Sequence, residues 1–277
     1  MKNESKTDPR RRAATATDTN TLVALAGVAN SASGAEKHCW ICGGPPDSGE
    51  HKTKRSDLKA AFGQPTQTQP LFFHDRNKKN RPVGSLNAKL LKSPDRICHF
   101  CNTTRTQPHD RAWETLSKFF RENPAIVPGS TVRFNRAFPY ETRQHMLNVH
   151  LFFVKVFGCL VLEGALRIDI AGFSDAILQG RAHPLIHLKF GRPSAEDRIM
   201  VGRSDIWIWP STAEAPTKFA TWFYSLPHIW VSVMFAMSGE RRDGLVGSWH
   251  PGGGSKSLLI ADFRYADELR LADENTK

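Results

Sequence analysis

Cys39-Trp40-Ile41-Cys42 and Cys98-His99-Phe100-Cys101, with 55 residues between them, are the stretches that decide the fold. Two cysteine pairs, each with a two-residue gap, have the knuckle spacing of a structural zinc site. Four thiolates close a tetrahedron and leave no open position, so such a metal staples the chain and does no chemistry. Gly43-Gly44 follows the first pair, as a tight knuckle turn requires. The gap between the pairs exceeds an ordinary zinc-ribbon loop, so the zinc is expected to clamp the two ends of an inserted unit. The fifth cysteine, Cys159, lies in an apolar run and reads as a small buried hydrophobe. No apolar stretch of secretory type follows Met1-Lys2-Asn3-Glu4-Ser5. A cytoplasmic setting with reduced thiols is therefore expected, and metal ligation is preferred over disulfides.

The chain has 277 residues, enough for one large domain or two ordinary ones. Its formal net charge of +11 is unevenly spread. Residues 1–125 hold 21 Lys/Arg against 12 Asp/Glu, whereas residues 126–277 hold 17 against 15. A basic N-terminal half attracts polyanions, and nucleic acid is the expected partner. The run 151–162 is too short to span a bilayer and contains Lys155, so no membrane association is expected.

The expected fold class is α+β. Residues 1–35, with Arg10-Arg11-Arg12 and a run rich in Ala, Thr, Ser and Asn, read as a disordered basic segment in which 22–28 is at most a short helix. Residues 36–125 form the cysteine-bearing domain. Within it, 56–62 reads as a helix capped by Ser56 and stopped by Gly63, 70–73 as a strand, and 75–81 as a basic loop. A further helix is expected over 108–122, because Pro108 suits its first turn and Trp113, Leu116 and Phe120 recur at helical spacing. Residues 126–277 form an α+β domain with a long helix over 143–163 and a mainly antiparallel sheet. Its expected strands are 185–190, 206–209, 218–224, 229–237 and 257–263, with Gly252-Gly253-Gly254 in a turn.

Between the cysteine pairs stands Glu50-His51, and Asn102 follows the second pair directly. With Thr103-Thr104-Arg105-Thr106-Gln107-Pro108-His109-Asp110 beyond it, this arrangement resembles the HNH endonucleases of the ββα-metal class that carry a four-cysteine zinc site. The resemblance covers about residues 38–123. It implies an HNH-like domain with structural zinc on Cys39, Cys42, Cys98 and Cys101, and a catalytic divalent cation, Mg²⁺ or Mn²⁺. His51 matches the general base, whose ordinary pKa lies near neutrality. Glu50 and Asn102 match ligands of the cation, and Asp110 is a further hard oxygen donor. The family form puts an Asn a few residues before the second pair and uses it to orient the base through its backbone neighbours. Here that place reads Ser93-Pro94-Asp95-Arg96-Ile97, and Asn87 serves if the loop is longer. The resemblance also implies a bacterial or phage-type setting and DNA as substrate.

Lys52, Lys54, Arg55, Lys78, Lys79, Arg81 and Arg105 are expected to grip backbone phosphates. His183, His187, His228 and His250, scattered along the C-terminal half, form no catalytic set, and its tryptophans read as core; this half is expected to serve a protein partner or self-association. Two functions remain open: a metal-dependent HNH endonuclease, and a zinc-stabilised nucleic-acid-binding or adaptor protein that does not cut.

Overall fold

Trp113, Leu116 and Phe120 share one face of α2 (Gln107–Glu122), and each is at most 2% exposed. We describe the chain from a computed structural model over residues 38–74, 79–94, 96–193, 201–209 and 216–263. The N-terminal segment 1–35, the possible helix at 22–28 and Lys78 lie outside the described residues. Pro108 stands in the first turn of α2, and the helix ends before Asn123-Pro124.

α1 (Arg55–Phe62) begins one residue earlier than expected, with Lys54 at the cap position. Ser56 does not cap it. The Ser56 hydroxyl instead donates to Glu114 at 3.0 Å, bracing α1 against α2. β1 (Leu71–Phe73) pairs antiparallel with β2 (Arg81–Val83), a strand that begins inside the expected loop.

α3 (Thr142–Glu163) is buried without interruption from Asn148 to Val161. A helix apolar on every side belongs in a core. α3 is long and apolar enough to cross a bilayer, but its most apolar window is mostly covered by the rest of the protein. α4 (Ala171–Gln179) packs beside it.

Among the described residues the large sheet has seven strands: β3 (Thr131–Arg133), β4 (Ile186–Pro193), β5 (Gly202–Arg203), β6 (Trp207–Trp209), β7 (Phe219–Leu226), β8 (Ile229–Ala236) and β9 (Ser257–Phe263). The order is β3-β9-β4-β8-β7-β5, with β6 also on β7. Among the described residues its strand pairings are antiparallel except β4 with β9, so the sheet is mixed. Every residue of β8 is buried, as expected for a central strand covered on both faces. The fold is α+β, as expected.

One apolar core crosses the junction near residue 125. The Trp113 ring stacks on Phe152 of α3 at 5.5 Å and meets Phe153 and Tyr224 edge-on at 4.9 and 5.3 Å. Trp40, between the first two cysteines, donates its indole N–H to Cys159 of α3 at 3.4 Å. α3 thus receives the cysteine-bearing region on one side and the sheet on the other.

Candidate functional site

The four cysteines converge. The Cys39 amide donates to the Gly44 carbonyl at 2.6 Å and the Gly43 amide to the Cys39 carbonyl at 2.8 Å, which curls the first knuckle. All four Sγ atoms lie within 4.8 Å of one another, and Cys42 and Cys98 are 3.6 Å apart. Tetrahedral zinc at about 2.3 Å from each sulfur spaces the sulfurs by about 3.8 Å, so the cluster fits the ion in number, donor chemistry and size. Arg105 donates to Cys101 Sγ at 2.9 Å with its guanidinium over the Phe100 ring. That contact directs Arg105 to sulfur and would offset thiolate charge once a metal is bound.

The second pair leads into α2 through one wide turn, in which the Thr106 amide reaches the Cys101 carbonyl five residues back at 3.2 Å. Before it, residues 48–51 run antiparallel to 92–97, through bridges from Ser48 to Ile97 and from His51 to Lys92. The approach is tight: a Cβ on Gly49 would come within 2.7 Å of the Ser93 carbonyl oxygen. Asn102 donates its side-chain amide to Ser48 Oγ at 2.9 Å and to the Gly49 carbonyl at 3.4 Å. It therefore braces the segment that carries Glu50.

Glu50 and Asp110, 60 residues apart, meet at one point. Lys155 Nζ of α3 lies 2.8 Å from Asp110 Oδ1 and 3.1 Å from Glu50 Oε2. Lys155 has no exposed surface and Glu50 is 5% exposed. Lys54 adds a second ammonium 3.2 Å from Asp110 and 3.5 Å from Glu114. Burial alone would favour neutral Lys155, but the Glu50 and Asp110 carboxylates outweigh it and hold the ammonium charged. Burial likewise opposes ionisation of Asp110, and the Lys155 and Lys54 charges overcome it, drawing its pKa down. Glu50 is pushed up, chiefly by its deeper burial, with Lys155 a partial offset. Hard carboxylate oxygens converging on one point are the donor set a divalent cation takes; the Lys155 ammonium holds that point.

His51 is half-buried, and its Nε2 lies 3.0 Å from the carbonyl of Leu86, the residue before Asn87. A carbonyl only accepts, so Nε2 carries the proton and Nδ1 keeps its lone pair. Burial lowers the His51 pKa, which the Leu86 carbonyl partly opposes; the ring is neutral near pH 7. Asn87 itself is exposed, its amide donating to Ser85 Oγ at 3.2 Å. Among the described residues, no side-chain hydrogen bond or ion pair joins His51 or Asn102 to the Glu50 or Asp110 carboxylate.

No family model, curated protein or solved structure matches the chain.

The basic residues divide. Lys52 pairs with Glu163, which also accepts from Ser93 Oγ at 3.1 Å. Lys54 is tied to Asp110, Arg105 to Cys101, and Arg81 lies over Phe73 at 5.3 Å. Arg55 and Lys79 are exposed. Lys155 is the site residue that sequence reasoning missed as a participant, although a signal existed. A lone lysine within an apolar helix is buried with the helix, and a buried ammonium requires carboxylate partners.

Proposed function

We propose that this protein hydrolyses phosphodiester bonds in nucleic acid, with DNA the expected substrate, and that His51 is its general base. The observation that carries the reading is the hydrogen bond from His51 to the carbonyl of Leu86, next to Asn87. That is the role the resemblance assigns to the backbone beside the middle Asn, and it leaves Nδ1 able to take a proton from water. Further support comes from the order of the pieces. The segment 48–51, its antiparallel partner 92–97 and the helix after the second knuckle follow one another as the ββα arrangement requires.

Glu50 and Asp110 are the residues that would hold a divalent cation, with Asn102 bracing the Glu50 strand. Such an ion supplies positive charge for the leaving oxygen when bound. The exposed Arg55 and Lys79, with Lys59 and Lys89, supply phosphate contacts without base readout.

One observation favours the second reading, binding without cutting. The Lys155 ammonium and a cation cannot share the point between Glu50 and Asp110, so a Lys155 that never leaves would keep the pair from any metal. The deciding experiment is plasmid nicking by zinc-loaded protein in Mg²⁺, in Mn²⁺ and in their absence, with His51→Ala in parallel and DNA affinity measured for both. Cation-dependent nicking that falls by about 10²–10⁴ in His51→Ala at unchanged affinity supports the nuclease. Retained binding with no nicking selects the second reading, and absence of binding at low salt overturns both.

A further inference from the structure

The N-terminal end of α3 opens into a cavity of about 1000 Å³ that plays no part in the Glu50–His51 region. Arg143 lines it, and about 18 Å of helix axis separates Arg143 from Lys155 at 1.5 Å per residue. The cavity lies where the first turn of α3, the end of α4, the start of β9 and the Gly252–Gly254 turn come together.

Its lining is segregated by charge. Arg133, Arg143, Arg181 and Lys256 line it, with no Asp or Glu. The C-terminal half as a whole is close to balanced, so this is a local choice. Among the described residues no ion pair involves Arg133, Arg143 or Lys256, and Arg181 meets only Asp175, at 3.9 Å on the open surface. Such an exposed pair contributes little. Gathered cations repel one another, and an anion between them removes that cost. The amide end of α3 adds partial positive charge of the same sign.

The floor is apolar and aromatic. Phe134 and Trp249 meet edge-on at 5.6 Å, and Met146 lies beside them in the lining. Trp249 is only 6% exposed, yet among the described residues its indole N–H has no hydrogen-bond partner. A buried donor without a partner costs stability unless something else accepts from it. Behind it, His150 of α3 takes the His183 amide on Nε2 at 3.1 Å, so its proton sits on Nδ1, which also has no partner among the described residues.

We infer that this cavity binds a phosphorylated nucleoside, its phosphate among the four cations and its flat base against the Trp249 and Phe134 floor. The volume accommodates a ligand of that size. The same chemistry is offered by a free nucleotide and by the 5′-phosphorylated terminal nucleotide of a strand.

The test is calorimetric titration of full-length, zinc-loaded protein with adenosine 5′-monophosphate and with adenosine. The phosphorylated probe should bind at least tenfold more tightly. Arg143→Ala combined with Arg181→Ala should weaken it at least tenfold at an unchanged melting temperature, since both side chains are exposed. Trp249→Phe, which removes only the N–H and part of the ring system, should weaken it severalfold. Competition by a short 5′-phosphorylated oligonucleotide, but not by its 5′-hydroxyl form, assigns the site to strand ends. Binding of the nucleotide without such competition assigns it to free nucleotide. Equal affinity for the two titrants, no binding of either at millimolar concentration, or full affinity in the double arginine variant would overturn the inference.

Discussion

Tyr224 and Asp57 are 167 residues apart in the chain, and the phenol hydroxyl donates to the carboxylate at 2.7 Å. Trp113 Nε1 donates to the same carboxylate at 2.7 Å and Ser117 Oγ at 2.8 Å, while the Tyr224 oxygen accepts from the Lys54 amide at 2.8 Å. A carboxylate on α1 thus ties α2 and β7 to the segment leading from His51. Burial pushes the Asp57 pKa up, against the three donors that stabilise its charge.

Asp57→Ala strands three buried donors at once. The expected loss is at least about 2 kcal/mol, since each unsatisfied buried group costs about 1–3 kcal/mol. Urea unfolding followed by tryptophan fluorescence measures it. A loss below about 0.5 kcal/mol would mean that water replaces the carboxylate freely and that the tie is weaker than its geometry.

Zinc removal should act on folding. One zinc per chain is expected by elemental analysis, and a strong chelator or Cys98→Ser should lower the melting temperature markedly, because binding energy at a closed site is folding energy. An unchanged melting temperature after complete metal removal would contradict a stapling role for the four cysteines.

Lys155→Met removes the charge that two buried carboxylates share. A cost of about 3–5 kcal/mol is expected, as for other buried pairs broken on one side. Millimolar Mn²⁺ should then raise the melting temperature of the variant more than that of the original protein, because the freed oxygens suit a hard cation. Equal responses of the two proteins would refute Glu50 and Asp110 as a latent cation pair.

Stability should fall in mild acid. His183 and His228 are both held down to about 4, chiefly by burial, with the neighbouring His250 adding to the first and Arg121 and Arg192 to the second. Each is neutral in the folded chain and protonates near 6.5 when unfolded. Their contribution is therefore fully present above about pH 6.5 and is lost as pH falls from there through about 4. Melting temperatures taken across that window at fixed ionic strength should decline, and His228→Gln should flatten the decline. A flat profile in the original protein would contradict the burial of both rings.

The long elements were legible because their patterns are strong and local. The Trp113, Leu116, Phe120 stripe and the apolar run of α3 give helices with nearly correct ends, and β-branched and aromatic runs give β4 and β6 through β9. β2, β3 and β5 are two or three residues long and lack the apolar, aromatic run that marks the equally short β1 and β6. α4 (Ala171–Gln179) was not expected either. The parallel pairing of β4 with β9 joins residues some 70 apart, and no local pattern encodes it. The same holds at the site. The cysteine spacing announced their cluster, because ligand geometry constrains spacing. The destination of His51 at Leu86 and of Lys155 at Glu50 depends on how loops and α3 dock, which propensity does not carry.

Gly158 lies in the C-terminal third of α3, where a Cβ would stand 2.7 Å from Cζ2 and 2.8 Å from Cη2 of the Trp40 ring. The indole that separates two of the cysteines is thus pressed onto the backbone of a helix from the other half of the chain. A piece ending near residue 125 would carry the bare faces of Trp40, Trp113 and Phe120 into water and would lose the surface that seats the knuckle. The cysteine-bearing region is therefore not a transferable cassette: grafted elsewhere without α3, it would arrive without its foundation.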